Sequence, residues 1–297
     1  MSIPKYLPFT SGQWRLSLGM KPLNIKEWIE IDEHFCAELA LKDKLLKEQY
    51  SEVFASLKGS EPSQLEVLEL LLDHLLEYFP QHYQRLGEKI VNLTTRQVWD
   101  TADFEAAPLE LAGRLVQEDL TILQPSPDGY VLAAASVCFP LRWCLQQKIG
   151  HPLMKIHQPV PGYHDITRPV DALFDRLQPQ NPVWRVNWSI VDSPELFLAQ
   201  EREKNLDITS ENAGENLWIR VERQSLRRLE KSGNILFVIH TYVHPLRILE
   251  DNPAVASNLA AAVKQIPTQM QSYKNLLPIR EALLGYLDRV GENVTDY

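Results

Sequence analysis

Cysteine is scarce: Cys36, Cys138 and Cys144 are the three in 297 residues, odd in number and without C-x-x-C spacing. That usage fits a reducing compartment, offers no thiolate cage for a metal, and makes a cytoplasmic location the expectation. Basic charge is also in deficit, with 30 Lys and Arg against 39 Asp and Glu and a formal net charge of -9. This argues against a general nucleic-acid coat, because phosphate binding is mostly a Lys/Arg effect. Long apolar runs are missing as well. The longest, 131–137, is far short of the roughly 20 residues a membrane helix needs, so no membrane association is expected. The opening MSIPKYLPFT has no apolar segment of the secretory type. Glycine is sparse at 12 residues against 20 prolines, which describes a stiff chain punctuated by loops. P-loop, G-x-G-x-x-G, G-x-S-x-G and H-E-x-x-H patterns are all absent, and no internal repeat is visible. What remains, 44% hydrophobic and 23% charged, is an ordinary globular composition with enough length for one large core or two modest ones.

Apolar spacing organises the chain into helices, then strands, then helices. Asn24 is placed to cap a helix starting at Ile25, and Ser63 with Glu66 forms a capping-box pair opening a helix that stops at Pro80. Residues 109–116 read as a short helix. LTILQ and YVLAAASVCF flank an Asp128-Gly129 turn as a hairpin, and LRWCLQQKIG reads as a helix stopped by Gly150. HPLMKIHQPVPGYH, with its prolines, is expected to be a fixed extended loop, with Pro169 opening the next helix. VWRVNWSI is a strand, and Ser193-Pro194 carries a helix-start pattern over ELFLAQE. The clearest hairpin is two long β-rich runs around Lys231-Ser232-Gly233; Asn252-Pro253 then starts C-terminal helices, the second near 277–289. The pattern predicts an α+β protein, helices packed on an antiparallel sheet. A single unit over 1–297 is expected, with a mainly helical layer to residue 90, a sheet core over 91–250 and C-terminal helices after 251.

Three groups of residues carry possible chemistry. His157 lies between Ile156 and Gln158-Pro159-Val160-Pro161, where prolines fix the direction of a side chain. Such an imidazole beside apolar residues suits a single-ligand haem site, although a His among prolines is more often structural. The segment 220–231 holds Arg220, Arg223, Arg227, Arg228 and Lys231 against Glu222 and Glu230, a local +3 inside an acidic chain. Strand alternation puts Arg220, Glu222, Gln224 and Arg228 on one side and Arg223, Ser225 and Arg227 on the other. The alternatives are a solvated face with cross-strand ion pairs or an anion site of forked guanidinium groups. His240 and His244 in HTYVH would be about 13 Å apart on a strand, too far for one zinc ion, and read as surface or satisfied residues. Glu118-Asp119 is read as solvated charge, and Asn187-Trp188 as a pocket amide and indole or simply core.

Taken together, GYVLAAASVCFPLRWCLQQKIGHPLMKIHQPVPGY, RVNWSI and RVERQSLRRLEKSGNILFVIHTYVHPL resemble the haem-dependent oxidative N-demethylase family, its haem-bearing α-subunit in particular. GMKPL, EWIEID, LEYFPQHY and LVQEDL extend the similarity over about residues 5–250. The resemblance implies a PAS-like antiparallel sheet serving as a catalytic haem chamber. It implies haem b, O2, a small amine such as dimethylamine, and release of formaldehyde. Electrons would come from NADPH through flavin and iron–sulfur partner proteins, since this chain has no such module. Carried onto this sequence, His157 in IHQPVPGY becomes the candidate iron ligand, preferred over a Cys thiolate. Arg223, Arg227 and Arg228 become candidates for the haem propionates, and Glu222 the candidate acceptor for the substrate ammonium.

Two segments depart from the family pattern: Pro140-Leu141-Arg142-Trp143 stands where Pro-Ser-x-Trp is usual, and Glu230 follows LRRL where proline is usual. Because a shared fold does not fix a reaction, two other functions stay open. One is a non-catalytic haem-binding PAS-like sensor or carrier. The other is a haem-free scaffold that binds an anionic ligand through the Arg-rich strand.

Overall fold

The β-branched and aromatic runs pair as their alternation requires. In a computed structural model describing residues 4–199 and 207–292, the strands are β1 (Lys21–Pro22), β2 (Phe54–Ser56), β3 (Tyr83–Leu86), β4 (Lys89–Asn92), β5 (Val98–Asp100), β6 (Asp119–Ser126), β7 (Gly129–Ser136), β8 (Val183–Val191), β9 (Trp218–Arg228) and β10 (Ile235–Pro245). Seven of them form one antiparallel sheet in the order β1-β8-β9-β10-β6-β7-β2, and β3-β4-β5 form a second, small one. Counted along the chain, the five long strands of the centre run 2-1-5-4-3, the order of a PAS-like sheet. The α+β expectation holds.

Register fixes the two faces. Along β9, Ile219, Val221, Arg223, Ser225 and Arg227 share the back face with Leu236, Val238, His240 and Tyr242 of β10 and Trp184, Val186 and Trp188 of β8. Arg220, Glu222, Gln224, Leu226 and Arg228 share the front face with Phe237, Thr241, Arg185 and Asn187. At one end of the back face lie α1 (Phe35–Glu48), α2 (Tyr50–Val53), α3 (Glu61–Tyr78) and α4 (Pro108–Leu115), burying Leu120, Ile122, Leu236 and Val238. Each such fully buried Leu or Ile contributes about 1.5–3 kcal/mol. On the front face, α5 (Leu153–Ile156) and α6 (Tyr163–Arg176) cover Leu123, Leu132, Leu226 and Ile235. The other end of the back face is closed by α7 (Ala213–Asn216), α8 (Pro253–Gln265), α9 (Thr268–Tyr273) and α10 (Arg280–Glu292) over Trp188, Ile190, Ile219 and Val221. Among the described residues, no helix is long and apolar enough to cross a membrane.

Several local expectations change. Asn24 caps only a single 3-10 turn, Ile25–Glu27, and α1 begins ten residues later at Phe35. Ser63 and Glu66 lie inside α3, not at its start, because tertiary partners claim them. Ser63 Oγ accepts from Asn234 Nδ2 at 2.7 Å, and the Glu66 carboxylate accepts from the turn amides of Lys231 and Ser232. Residues 83–100, read with or beside the helical layer, form the small sheet, with Gly87 turning at φ 62°. LRWCLQQKIG makes one 3-10 turn rather than a helix. The Pro-rich loop contains α5, and α6 starts at Tyr163 after Gly162 at φ 76°, which leaves Pro169 inside it at the cost of one backbone bond. No helix follows Pro194 through residue 199; Gln200 and Glu201 of that expectation lie outside the described residues.

Candidate functional site

The front face of β8 and β9 gathers polar side chains where a sheet interior is usually apolar. Register sets Arg185 opposite Gln224 and Asn187 opposite Glu222. Arg185 Nε donates to Gln224 Oε1 at 2.8 Å, and Gln224 Nε2 donates to Glu222 Oε2 at 2.9 Å. Asn187 Nδ2 reaches the same Oε2 at 3.3 Å. Two amides therefore hold one carboxylate oxygen of Glu222, and Oε1 is left without a hydrogen bond among the described residues. Lys274, just beyond α9, enters from the C-terminal side and donates to the Trp188 carbonyl at 2.8 Å. Burial lowers its ammonium to about 8, against the pull of Glu222. Arg142 holds that segment by donating to the Lys274 carbonyl at 3.1 Å, from a left-handed backbone at φ 57°.

His157 closes the other side. It ends α5, where its Nδ1 lies 2.9 Å from the Leu153 carbonyl. A carbonyl can only accept, so Nδ1 carries the proton and Nε2 is the bare nitrogen. The Tyr163 ring stacks on the imidazole at 4.4 Å and 11°. Burial, then the nearby charges of Arg185 and Lys148, push its pKa down, so the ring is a neutral Lewis base. Arg185 lies within electrostatic range of His157, Tyr163, Glu222 and Lys274, which ties these side chains into one front-face cluster. Arg185 and Lys274 both interact with Glu222 there; Arg220 does so too but also faces Asp119 and Glu38 and donates to the carbonyls of Phe139, Leu196 and Glu195, which makes it part of the framework.

The predicted arginine group does not converge. Arg223 and Arg227 face the back and Arg228 the front, as strand alternation dictates. Arg223 donates to the carbonyls of Trp28 and Glu27 and stands 3.4 Å from Glu30. Arg227 lies over the Trp28 ring. Arg228 donates to the carbonyls of Leu177, Phe174 and Gly233 and to the Tyr130 hydroxyl. The guanidinium donors of Arg223 and Arg228 thus hold the fold together and are not open to an anion. The residues that reasoning from the sequence passes over are Arg185 and Lys274; it places Gln224 on the correct strand face but gives it no role. For Arg185 a signal exists, since pairing RVNWSI with RVERQ in antiparallel register sets it opposite Gln224.

Glu118 and Asp119, expected to be solvated, are 0% and 1% exposed. Asp119 accepts from the amides of Cys138 and Phe139, at 2.8 and 3.0 Å. Burial raises its pKa to about 6, opposed by Lys42 and those two amides. Glu118 Oε1 takes the Glu30 amide at 2.9 Å and His240 Nδ1 at 3.0 Å, while His240 Nε2 stands 3.5 Å from Asp32. Burial alone would lower the His240 imidazole, but these two carboxylates outweigh it and hold its pKa up at about 10. His240 is a buried cation of the back face, as the satisfied-residue reading had it. Among the described residues, no three His, Cys, Asp or Glu side chains converge on a metal position. Trp188 is core, and Asn187 is the amide of the pocket.

A family model described as "Haem-dependent oxidative N-demethylase, alpha subunit-like" matches residues 19–284. The match spans the whole sheet, the His157 segment and the Lys274 segment, and on it the chain belongs to that haem-dependent oxidative N-demethylase, alpha subunit-like family.

Proposed function

We propose that this chain holds haem b against the front face and oxidatively demethylates a small secondary amine. The observation that carries the reading is His157: one nitrogen is fixed on the Leu153 carbonyl, the other is bare, and the ring is neutral. That is what a single protein ligand to haem iron requires. The buried cations Arg185 and Lys274, which lean on the same Glu222, support a dianionic group beside it, and they replace the Arg223, Arg227 and Arg228 trio as partners for propionates. When bound, the haem would supply O2 activation. The overall balance is dimethylamine, O2, NADPH and a proton going to methylamine, formaldehyde, water and NADP+.

The chain's own residues set the stage for that reaction. Glu222 Oε1 accepts an N–H of the amine and orients its methyl group, while Asn187 and Gln224 keep the carboxylate from turning away. Tyr163 stacks on His157 and limits the rotation of the imidazole. Electrons enter from a separate flavin and iron–sulfur reductase partner. Cys36, Cys138 and Cys144, all free, match a reducing cytoplasm as the setting.

A visible spectrum of the purified protein tests the cofactor, with a Soret band expected. Formaldehyde release from dimethylamine under O2 and dithionite then separates an enzyme from a haem sensor or carrier. H157A is expected to lose the Soret band or shift it with loss of turnover. A variant with full haem and an unchanged spectrum rules out His157 as the ligand.

A further inference from the structure

Before its first strand the chain crosses the rim of the front chamber, and firm attachments flank that crossing. On the N-terminal side Phe9 is fully buried among the C-terminal helices. There Asn258 Nδ2 donates to the Thr10 carbonyl and Gln265 Nε2 to the Gly12 carbonyl, both at 2.7 Å. On the other side Lys21 and Pro22 pair with Trp184 and Val183 of β8, and the Leu23 amide donates to the Pro182 carbonyl at 2.9 Å. Between these anchors, residues 15–20 form neither helix nor strand. Apart from a bond of Arg15 to Gln13, their hydrogen bonds among the described residues come from one guanidinium. Arg185 Nη1 donates to the carbonyls of Ser17 and Leu18, each at 3.4 Å, the long end of the hydrogen-bond range. Leu18 and Met20 rest half-buried on the front apolar cluster, and Leu16, 39% exposed, lies against Gly162 just before α6. Gly12 at φ 65° and Gly19 at φ 56° take left-handed conformations that glycine adopts without strain, and they supply two pivots.

We infer that residues 15–20 are a hinged strap across the mouth of the front chamber, latched by Arg185, and that the strap opens as a unit to admit a ligand. The strap joins two walls. Through Ser17 and Leu18 it holds to β8, and through Leu16 it meets the segment that carries His157 and Tyr163. Arg185 Nε stays bound to Gln224 at 2.8 Å, so the guanidinium is fixed on the sheet and the strap is the part that moves. Both ends are pinned, which makes the motion an outward bulge rather than a fraying terminus. Two long hydrogen bonds and three partly covered apolar side chains are little to break, so this opening needs far less free energy than unfolding of the sheet. The inference uses the walls of the chamber alone and holds whatever ligand the chamber takes.

Limited trypsin digestion of the purified full chain reads the opening. Arg15 is the cleavable site inside the strap, because Lys21 precedes Pro22 and resists the protease. Cleavage after Arg15 should run well ahead of cleavage after Lys42, which is 0% exposed and reports global unfolding. R185M should speed the Arg15 cut about tenfold and L18S about threefold, with the Lys42 cut no faster in either. Diethyl pyrocarbonate, which acylates neutral imidazole, reads entry. Its modification of His157 should rise about threefold in L18S, while that of exposed His164 stays the same. An unchanged Arg15 rate in both variants overturns the latch, and an equal acceleration at Lys42 overturns it by assigning the effect to global unfolding. Unchanged His157 labelling in L18S overturns the strap as the route of entry. None of these readouts needs haem, so the Soret measurement succeeds or fails separately.

Discussion

The two faces of β9 bury charge in opposite ways. On the back, Arg223 meets two carbonyls and a carboxylate, and His240 sits between Glu118 and Asp32. On the front, Arg185 and Lys274 lean on the acid Glu222, whose Oε1 is open, and His157 keeps a bare nitrogen. Removal of a charge from water is tolerated only when partners replace the water. A completed set therefore reads as architecture, and an incomplete one as a place where a ligand finishes the set. Alternation at one-residue spacing separates the two, so Arg223 and Glu222, neighbours in sequence, belong to different machines.

The sharpest way to break this contrast is to remove one member from each face. R223A leaves Glu30 without its buried cation and two carbonyls without donors, and should cost about 3–5 kcal/mol in urea unfolding. E222Q keeps an oxygen for Asn187 and Gln224 but takes the counter-charge from Arg185 and Lys274, and should cost about 1–3 kcal/mol, less than R223A, while abolishing formaldehyde release. The reverse ranking would show that the faces have been misassigned. Next in size is R185M, which removes a buried cation from the front chamber. Apo stability should be unchanged or about 1 kcal/mol higher, and haem retention about tenfold weaker, measured by unfolding and by haem transfer to apomyoglobin. A drop in stability with haem retention intact would move Arg185 into the structural class.

The back face also predicts a pH dependence. His240 is held near 10 in the folded chain against about 6.5 when unfolded, so its contribution is fully present below about 6.5 and is lost as pH rises toward 10. Asp32 is held down at about 2, burial being outweighed by His240 and Gln117; its contribution is present above about 3.9 and is lost as pH falls through 2. Urea midpoints of the apo chain should decline across the alkaline window, and H240Q should flatten that decline. The smallest effect is expected from half-buried His244, where H244N should change stability by about 0.5 kcal/mol or less. A larger loss there would extend the back-face network to the end of β10.

Legibility followed the range of the interaction. The two hairpins, β8 and the helix start at Pro253 were readable because alternation and turn residues are local signals, although the Asn252 side chain makes no capping bond. The capping-box reading of Ser63 and Glu66 missed because both serve the β9–β10 turn, more than 160 residues away. Glu118-Asp119 looked solvated because nothing nearby announces that Lys42, His240 and the amides at 138 and 139 will enclose the pair. Lys274 escaped notice for the same reason: its position in the chamber depends on α9 and on the Arg142 clamp.

The sequence by itself determined the α+β class, the strand faces and, through its long motifs, the family, because periodicity and motif order are written in consecutive residues. Only the tertiary structure decided which charges are committed. Arg223 and Arg228 are taken up by carbonyls, those of Glu27, Trp28 and Leu177 among them, while Glu222 and His157 each keep an open atom. The physical reason is that a buried polar group is defined by its partners, and those partners arrive from everywhere the chain folds back.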